Sequence, residues 1–356
     1  MSRIHELLKQ LKELGGSDLH LGAGVPPHLR IHGHIQPMAG AAPLDDATLR
    51  PMLLELLPPR RREEFEQQAD LDFAFGVDGI ARFRANYLVQ EGGAAAVFRI
   101  VPDRIPALED LHLPPVVEQL CHLRSGLVVI AGPSGGGKTT TLAAIIDKIN
   151  STYQKHIVAV EDPVEFVHTS KRSVISQREV GTDTDSFSAA LRGAIRQDAE
   201  VIVVGELRDL ETIRLAVTAA EMGSLVFGTL STATASKTID RIIDTFPPDQ
   251  QQQARSTLAE ALQAVLVQVL LPSAAGPGRV AAAEILLSAQ GLSSMIREGK
   301  TQMIDSVITT GKKAGMQNLD DSLWELLQAN QIHGPDAYLR AKDKRRFEAY
   351  ANAPQA

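Results

Sequence analysis

Gly132-Pro133-Ser134-Gly135-Gly136-Gly137-Lys138-Thr139 fits the pattern G-x-x-x-x-G-K-[ST], and its neighbours decide how it reads. The apolar run Leu127-Val128-Val129-Ile130-Ala131 precedes it, and a helix-forming segment from Thr140 to Ile149 follows. A buried strand, a glycine-rich turn and a helix start in that order form a phosphate-binding loop. The glycines let successive backbone N–H groups face one anion, and the helix N-terminus adds partial positive charge. Lys138 is the cation for the β- and γ-phosphates, and Thr139 offers a hydroxyl to Mg²⁺. The residues expected to touch nucleotide are therefore Ser134, Gly135, Gly136, Gly137, Lys138, Thr139 and Thr140. A glycine turn with a surface lysine is the bland alternative, and the strand, helix and threonine together outweigh it.

Two further apolar runs, Ile157-Val158-Ala159-Val160 and Val201-Ile202-Val203-Val204, imply a parallel sheet covered on both faces. Each ends in carboxylates, Glu161-Asp162 and Glu206 before Arg208-Asp209. Strand ends of open α/β sheets form the crevice where ligands bind. Nucleotide hydrolysis needs one carboxylate to accept a proton from water and another to hold a magnesium shell. A carboxylate at a strand end is as often merely solvated, but sharing a sheet with the loop favours function. Arg192, Arg196 and Arg208 cluster around the second acidic strand, while Arg84 and Arg99 lie far upstream. Any of them could meet transition-state charge, and for each alone a surface ion pair is the commoner role.

Upstream of the loop the pattern differs. Ile4, Leu7, Leu8, Leu11 and Leu14 mark an amphipathic helix ended by Gly15-Gly16. Short alternating segments at 18–21, 29–33, 71–75, 81–86 and 96–100 read as a small antiparallel sheet, with a helix from Ala47 to Gln68. Two domains are expected in the 356 residues: an α+β domain over 1–106 and an α/β domain over 107–356 that ends in helices. The last strand is expected from Val280 to Leu286, and the basic Lys342–Arg346 stretch as a solvated helix end.

Composition narrows the classes. Hydrophobic residues at 44% and charged residues at 22% suit a globular protein, and aromatics at 4% suggest aliphatic cores. A net charge of −7 argues against a general nucleic-acid surface, so no nucleic-acid partner is expected. Cys121 is the only cysteine, which excludes an intrachain disulfide and a four-cysteine zinc module. No signal peptide and no membrane span is read, so a cytoplasmic location is expected.

From about Ile4 to Ala341 the segments resemble the PilT family of type IV pilus retraction ATPases, within the type II/IV secretion ATPase superfamily. Gly15 to Leu21 resembles the start of its PAS-like domain, and His156 to His168 its Asp box. Gln177-Arg178-Glu179-Val180-Gly181 leads into a Walker B segment, Val201 to Arg208; Lys237 to Asp244 fits too, and Met295 to Lys300 resembles the retraction motif. The resemblance implies a RecA-like ATPase domain behind a PAS-like one, and a hexameric ring that uses ATP and Mg²⁺ to remove pilins. It implies Glu161 as catalytic base and Glu206 as the group acting on the Mg²⁺ water, with Arg84, Arg99, Arg192, Arg196 and Arg208 matching recurrent arginines. The partners it implies are the platform protein of the inner membrane and a paralogous retraction ATPase, at the cytoplasmic face of the pilus base.

One departure stands out. Ser224 and Ser231 occupy positions where the family has histidines, and Ala283 replaces another near Glu284. Serine cannot carry charge or reach as far as imidazole, so weaker turnover or subunit coupling is expected. The competing readings are an assembly or secretion ATPase and a weakly hydrolysing structural ring. Relatives of the first kind commonly carry an extra N-terminal domain, which is not read here, and Lys138, Glu161 and Glu206 speak against the second.

Overall fold

Residues 2–31, 33–101, 104–276 and 278–351 are described by a computed structural model, so His32, in one of the strands expected above, lies outside it. The chain divides into two compact units. The first comprises Met1–Arg104 together with Asp162–Val167 and Glu179–Asp185, and the second comprises the remainder. Those two later segments fall outside the domain that the sequence pattern assigns them to. Long arginine side chains hold them: buried Arg61 donates to the Val180 carbonyl at 2.9 Å, and Arg82 to the Val164 carbonyl at 3.0 Å.

In the first unit, helix α1 (Arg3–Glu13) buries Ile4, Leu7, Leu8 and Leu11, the stripe that its periodicity predicts. Strands β1 (Asp18–Gly22), β2 (His28–Ile31), β3 (His34–Pro37), β4 (Asp70–Val77), β5 (Ala81–Gln90) and β6 (Gly93–Val101) form one sheet in the order β3-β2-β1-β6-β5-β4, antiparallel at every pair. Strand β3 is exposed throughout and lacks the apolar alternation that would have revealed it. The single helix expected from Ala47 to Gln68 is two, α2 (Asp46–Glu55) and α3 (Pro59–Gln68). Pro58 and Pro59 force the break, because proline has no N–H for the helix ladder and suits a first turn. The core is not purely aliphatic: Phe65, Phe73, Phe83, Tyr87 and Phe98 are buried among its leucines and alanines, with Phe73 and Tyr87 edge to face at 4.9 Å. A low chain-wide aromatic content hid their concentration in one unit.

The second unit holds strands β7 (Gly126–Ala131), β8 (His156–Glu161), β9 (Val174–Glu179), β10 (Val201–Val204), β11 (Leu225–Leu230), β12 (Leu262–Pro272) and β13 (Arg279–Leu287). Their order is β13-β12-β7-β11-β10-β8-β9. Pairs from β12 through β7, β11 and β10 to β8 are parallel, as the apolar runs predict, and β13 adds to β12 antiparallel. Strand β12 follows a helix directly at Leu262 with no turn residue between, so its apolar run alone does not distinguish strand from helix. Helices α4 (Val116–Gln119), α5 (Lys138–Thr152), α6 (Phe187–Arg196), α7 (Leu210–Glu221), α8 (Ala235–Asp244) and α9 (Gln251–Ala261) accompany the sheet. Beyond β13 come α10 (Leu292–Arg297), α11 (Ile304–Thr310), α12 (Leu319–Gln328), α13 (Gly334–Arg340) and α14 (Lys344–Phe347).

The basic stretch at 342–346 is more than a solvated end. Lys342 donates to Glu284 at 2.7 Å, a carboxylate only 1% exposed that also accepts from the Ala235 N–H, so it ties the C-terminal helices to the start of α8. Arg346 lies over the Trp324 ring and pairs with Asp321 at 2.7 Å, while Arg345 is exposed.

Candidate nucleotide site

Strand β7 is buried at all six residues and delivers the chain into the loop at Gly132; α5 begins six residues later at Lys138. Three loop glycines have positive φ: Gly132 at 142°, Gly135 at 74° and Gly137 at 86°. Two of them also need the absence of a side chain. A Cβ on Gly132 would lie 2.2 Å from the Gln268 carbonyl oxygen, and one on Gly137 2.6 Å from the Gln268 side-chain nitrogen. Gln268, a buried glutamine in the apolar run of β12, therefore forms the floor of the loop. Its side-chain oxygen accepts from the Thr141 hydroxyl at 2.8 Å, which joins the floor to the first turn of α5. A lone amide inside Val265-Leu266-Val267-Gln268-Val269-Leu270 was the available signal, and its meaning appears only when β12 pairs with β7.

Lys138 donates to the carbonyls of Gly132 and Pro133 at 2.8 and 3.0 Å, which folds its ammonium over the loop. Burial pushes its pKa below the ordinary lysine value, opposed by the negative charge of Glu206. That coupling brings the carboxylate after β10 into the same field as the loop cation. Ser134 and Gly135 are exposed at the loop tip, Gly136 is buried, and Gly137, Thr139 and Thr140 are half-buried where α5 starts. Thr139 and Glu206 supply hard oxygen donors of the kind that magnesium takes, one hydroxyl and one carboxylate. Among the described residues no group of three or more His, Cys, Asp or Glu could hold a metal ion. The backbone cradle and this donor pair fit a magnesium nucleotide.

Glu161 closes β8, and the backbones of β8 and β10 approach so closely beyond it that a Cβ on Gly205 would sit 3.1 Å from the Glu161 Cα. Gln177 on β9 donates its side-chain N–H to the Glu161 carboxylate at 3.0 Å. Glu206 is paired with Arg208, and Asp209 caps α7 through the Thr212 N–H and hydroxyl. Arg192 pairs with Glu211, and Arg196 is exposed in the last turn of α6. Strand ends thus bring Lys138, Glu161 and Glu206 to one side of one sheet.

Arg84 and Arg99 belong to the first unit and face each other across β5 and β6. Arg99 donates to buried Asp18 at 2.7 Å, which Arg30 approaches from the other side at 3.6 Å; Arg84 pairs with Glu165 at 3.3 Å. The two serines at expected histidine positions occupy opposite ends of β11. Ser231 follows Leu230, whose carbonyl accepts from the Gly132 N–H at 3.2 Å, and Ser224 precedes the strand and donates to the Ala199 carbonyl at 3.1 Å. Ala283 is fully buried in β13.

Comparison with known proteins identifies the family. The family model described as Type II/IV secretion system protein matches residues 66–343. The Pseudomonas aeruginosa protein described as the type IV pilus retractation ATPase PilT is 45% identical over 97% of this chain and 99% of its own. A twitching motility protein of Neisseria gonorrhoeae is 43% identical over 89% of this chain and 84% of its own. Among solved structures, that of the pilus retraction motor PilT with bound ADP superposes with a TM-score of 0.89 at 42% identity, covering 98% of this chain and all of that one.

Proposed function

We propose, for a chain that belongs to the type II/IV secretion system protein family, that it is the ATP-driven motor of type IV pilus retraction. It is an ATPase with a RecA-like catalytic unit and a PAS-like N-terminal unit. The observation that carries the pilus reading is that the likeness runs through both units and not through the phosphate loop alone. On this reading the chain assembles as a homo-hexameric ring at the cytoplasmic face of the inner membrane. It acts there on the platform protein at the pilus base, with a paralogous retraction ATPase as a further partner. No helix among the described residues is long and apolar enough to cross a membrane.

The loop amides and Lys138 hold the β- and γ-phosphates of ATP. Thr139 and Glu206 would hold a bound Mg²⁺, which would supply neutralisation of phosphate charge. Glu161 orients the attacking water and takes its proton as the new P–O bond forms and the β–γ bridging oxygen leaves with its electron pair on ADP. On this reading Arg84, Arg99, Arg196 and Arg208 supply positive charge to the γ-phosphoryl group.

Deletion of the gene should leave cells that still display pili but no longer shorten them; loss of surface pili would favour an assembly motor instead. In the purified protein Glu161→Gln should keep ATP affinity and lose about 10²- to 10⁴-fold in turnover. Normal turnover in that variant, with loss in Glu206→Gln, would reverse the two roles.

A further inference from the structure

Gln177 touches both the proposed base and the connection that leaves it. Its side-chain N–H donates to the Glu161 carboxylate at 3.0 Å, and its side-chain oxygen accepts from the His168 backbone N–H at 2.7 Å. The second bond settles the orientation of the amide. A backbone N–H can only donate, so the oxygen must face His168 and the nitrogen must face Glu161. Both β8 and β9 are sheet strands and neighbours, which makes the amide a fixed strut and not a mobile surface group.

We propose that Gln177 is a positioning residue for hydrolysis: its amide holds the Glu161 carboxylate in one orientation and keeps it ionised, ready to accept the proton of the attacking water. The inference rests on the reading of Glu161 as the base. A donor aimed at a carboxylate favours the charged form, and anchoring one oxygen fixes the direction of the other. The motif Gln177-Arg178-Glu179 gains a stated role for its first residue. Asparagine would be one methylene too short to span both partners. Glutamate would keep the bond from His168 but set a second carboxylate against Glu161.

The test compares Gln177→Ala and Gln177→Glu with the unchanged protein and with Glu161→Gln, measuring kcat and KM for MgATP across pH. Titratable and charged groups on the elements packed around Glu161 are His156 on β8 and Asp162 just after it, Arg178 and Glu179 on β9, Glu206 and Arg208 after β10, Arg192 and Arg196 on α6, and Lys138 at the start of α5. All of these stay constant across the Gln177 series, so a difference within it isolates residue 177. Gln177→Ala should lower kcat about 10- to 100-fold, as misplacement of a reacting group does, with KM changed less than about twofold. The acid limb of kcat should move to higher pH in Gln177→Ala, and further, by about one unit or more, in Gln177→Glu. An unmoved acid limb in Gln177→Glu, with Glu161→Gln inactive, overturns the positioning role and leaves the base in place. Turnover surviving in Glu161→Gln overturns the base, and the inference with it.

Discussion

The phosphate loop and the Arg84–Arg99 pair are built in opposite ways. The loop is eight consecutive residues whose shape follows from glycine conformation, with one distant residue, Gln268, beneath it. The arginines are fifteen positions apart and meet because antiparallel register sets them opposite one another. Register extends the row further, since Asp18 pairs with Arg99 on one side and Arg30 on the other. The loop shows how local chemistry makes a site; the arginine row shows an arrangement that exists only if every strand lies in its proper place.

Breaking the loop should have the largest effect. Gly132→Ala drives a Cβ to 2.2 Å from a backbone oxygen of β12, which no side-chain rotation relieves. Calorimetry should show nucleotide affinity falling by about 100-fold or more, or roughly 2.7 kcal/mol. Gly135→Ala is the control: its φ is also positive but nothing lies within 4 Å of the added atom, so strain alone, about 1–2 kcal/mol, should appear. Equal losses in both would mean that the β12 floor does not shape the loop.

The arginine pair should separate by stability before it separates by turnover. Arg99→Ala removes a hydrogen bond from Asp18, whose side chain is 3% exposed, and should cost about 1–3 kcal/mol in denaturant unfolding. Arg84→Ala breaks a half-exposed pair with Glu165 and should cost about 0–1 kcal/mol. Both should reduce ATP turnover if they serve the transition state. A stability loss in Arg84→Ala as large as in Arg99→Ala would contradict the account of the row.

The smallest effect sharpens the comparison at the loop itself. Ser231 and Ser224 flank the six residues of β11, roughly 20 Å apart at about 3.3 Å per residue, and only Ser231 adjoins the loop. Restoring imidazole in Ser231→His should raise turnover a few-fold. Ser224→His should leave kcat and KM for ATP unchanged and cost about 1 kcal/mol for the lost bond to Ala199. A rise in Ser224→His equal to that in Ser231→His would refute the assignment by strand end.

How much could be read beforehand follows the same division. Gly132 to Thr139, the runs of β7, β8 and β10, and the carboxylates that end two of them were legible, because each is contiguous and carries a periodicity or motif. Strand β12 and the separation of α2 from α3 were not. An apolar run joined to a helix has no punctuation, and a proline pair placed inside a helical pattern is outvoted by its neighbours. The segments Asp162–Val167 and Glu179–Asp185 belong to the first unit although the sequence pattern places them in the second domain, because nothing local records that Arg61 and Arg82 reach them.

The phosphate loop with its lysine, the apolar runs of β7, β8 and β10 and the carboxylates Glu161 and Glu206 after two of them are properties of short stretches, and the amino-acid sequence determined them unaided. The tertiary structure alone decided that Gln268 floors the loop, that Gln177 braces Glu161 and that Arg84 faces Arg99. Each of these joins residues from separate strands, and strand pairing is a non-local outcome of burying apolar faces and satisfying backbone hydrogen bonds, which no local pattern encodes.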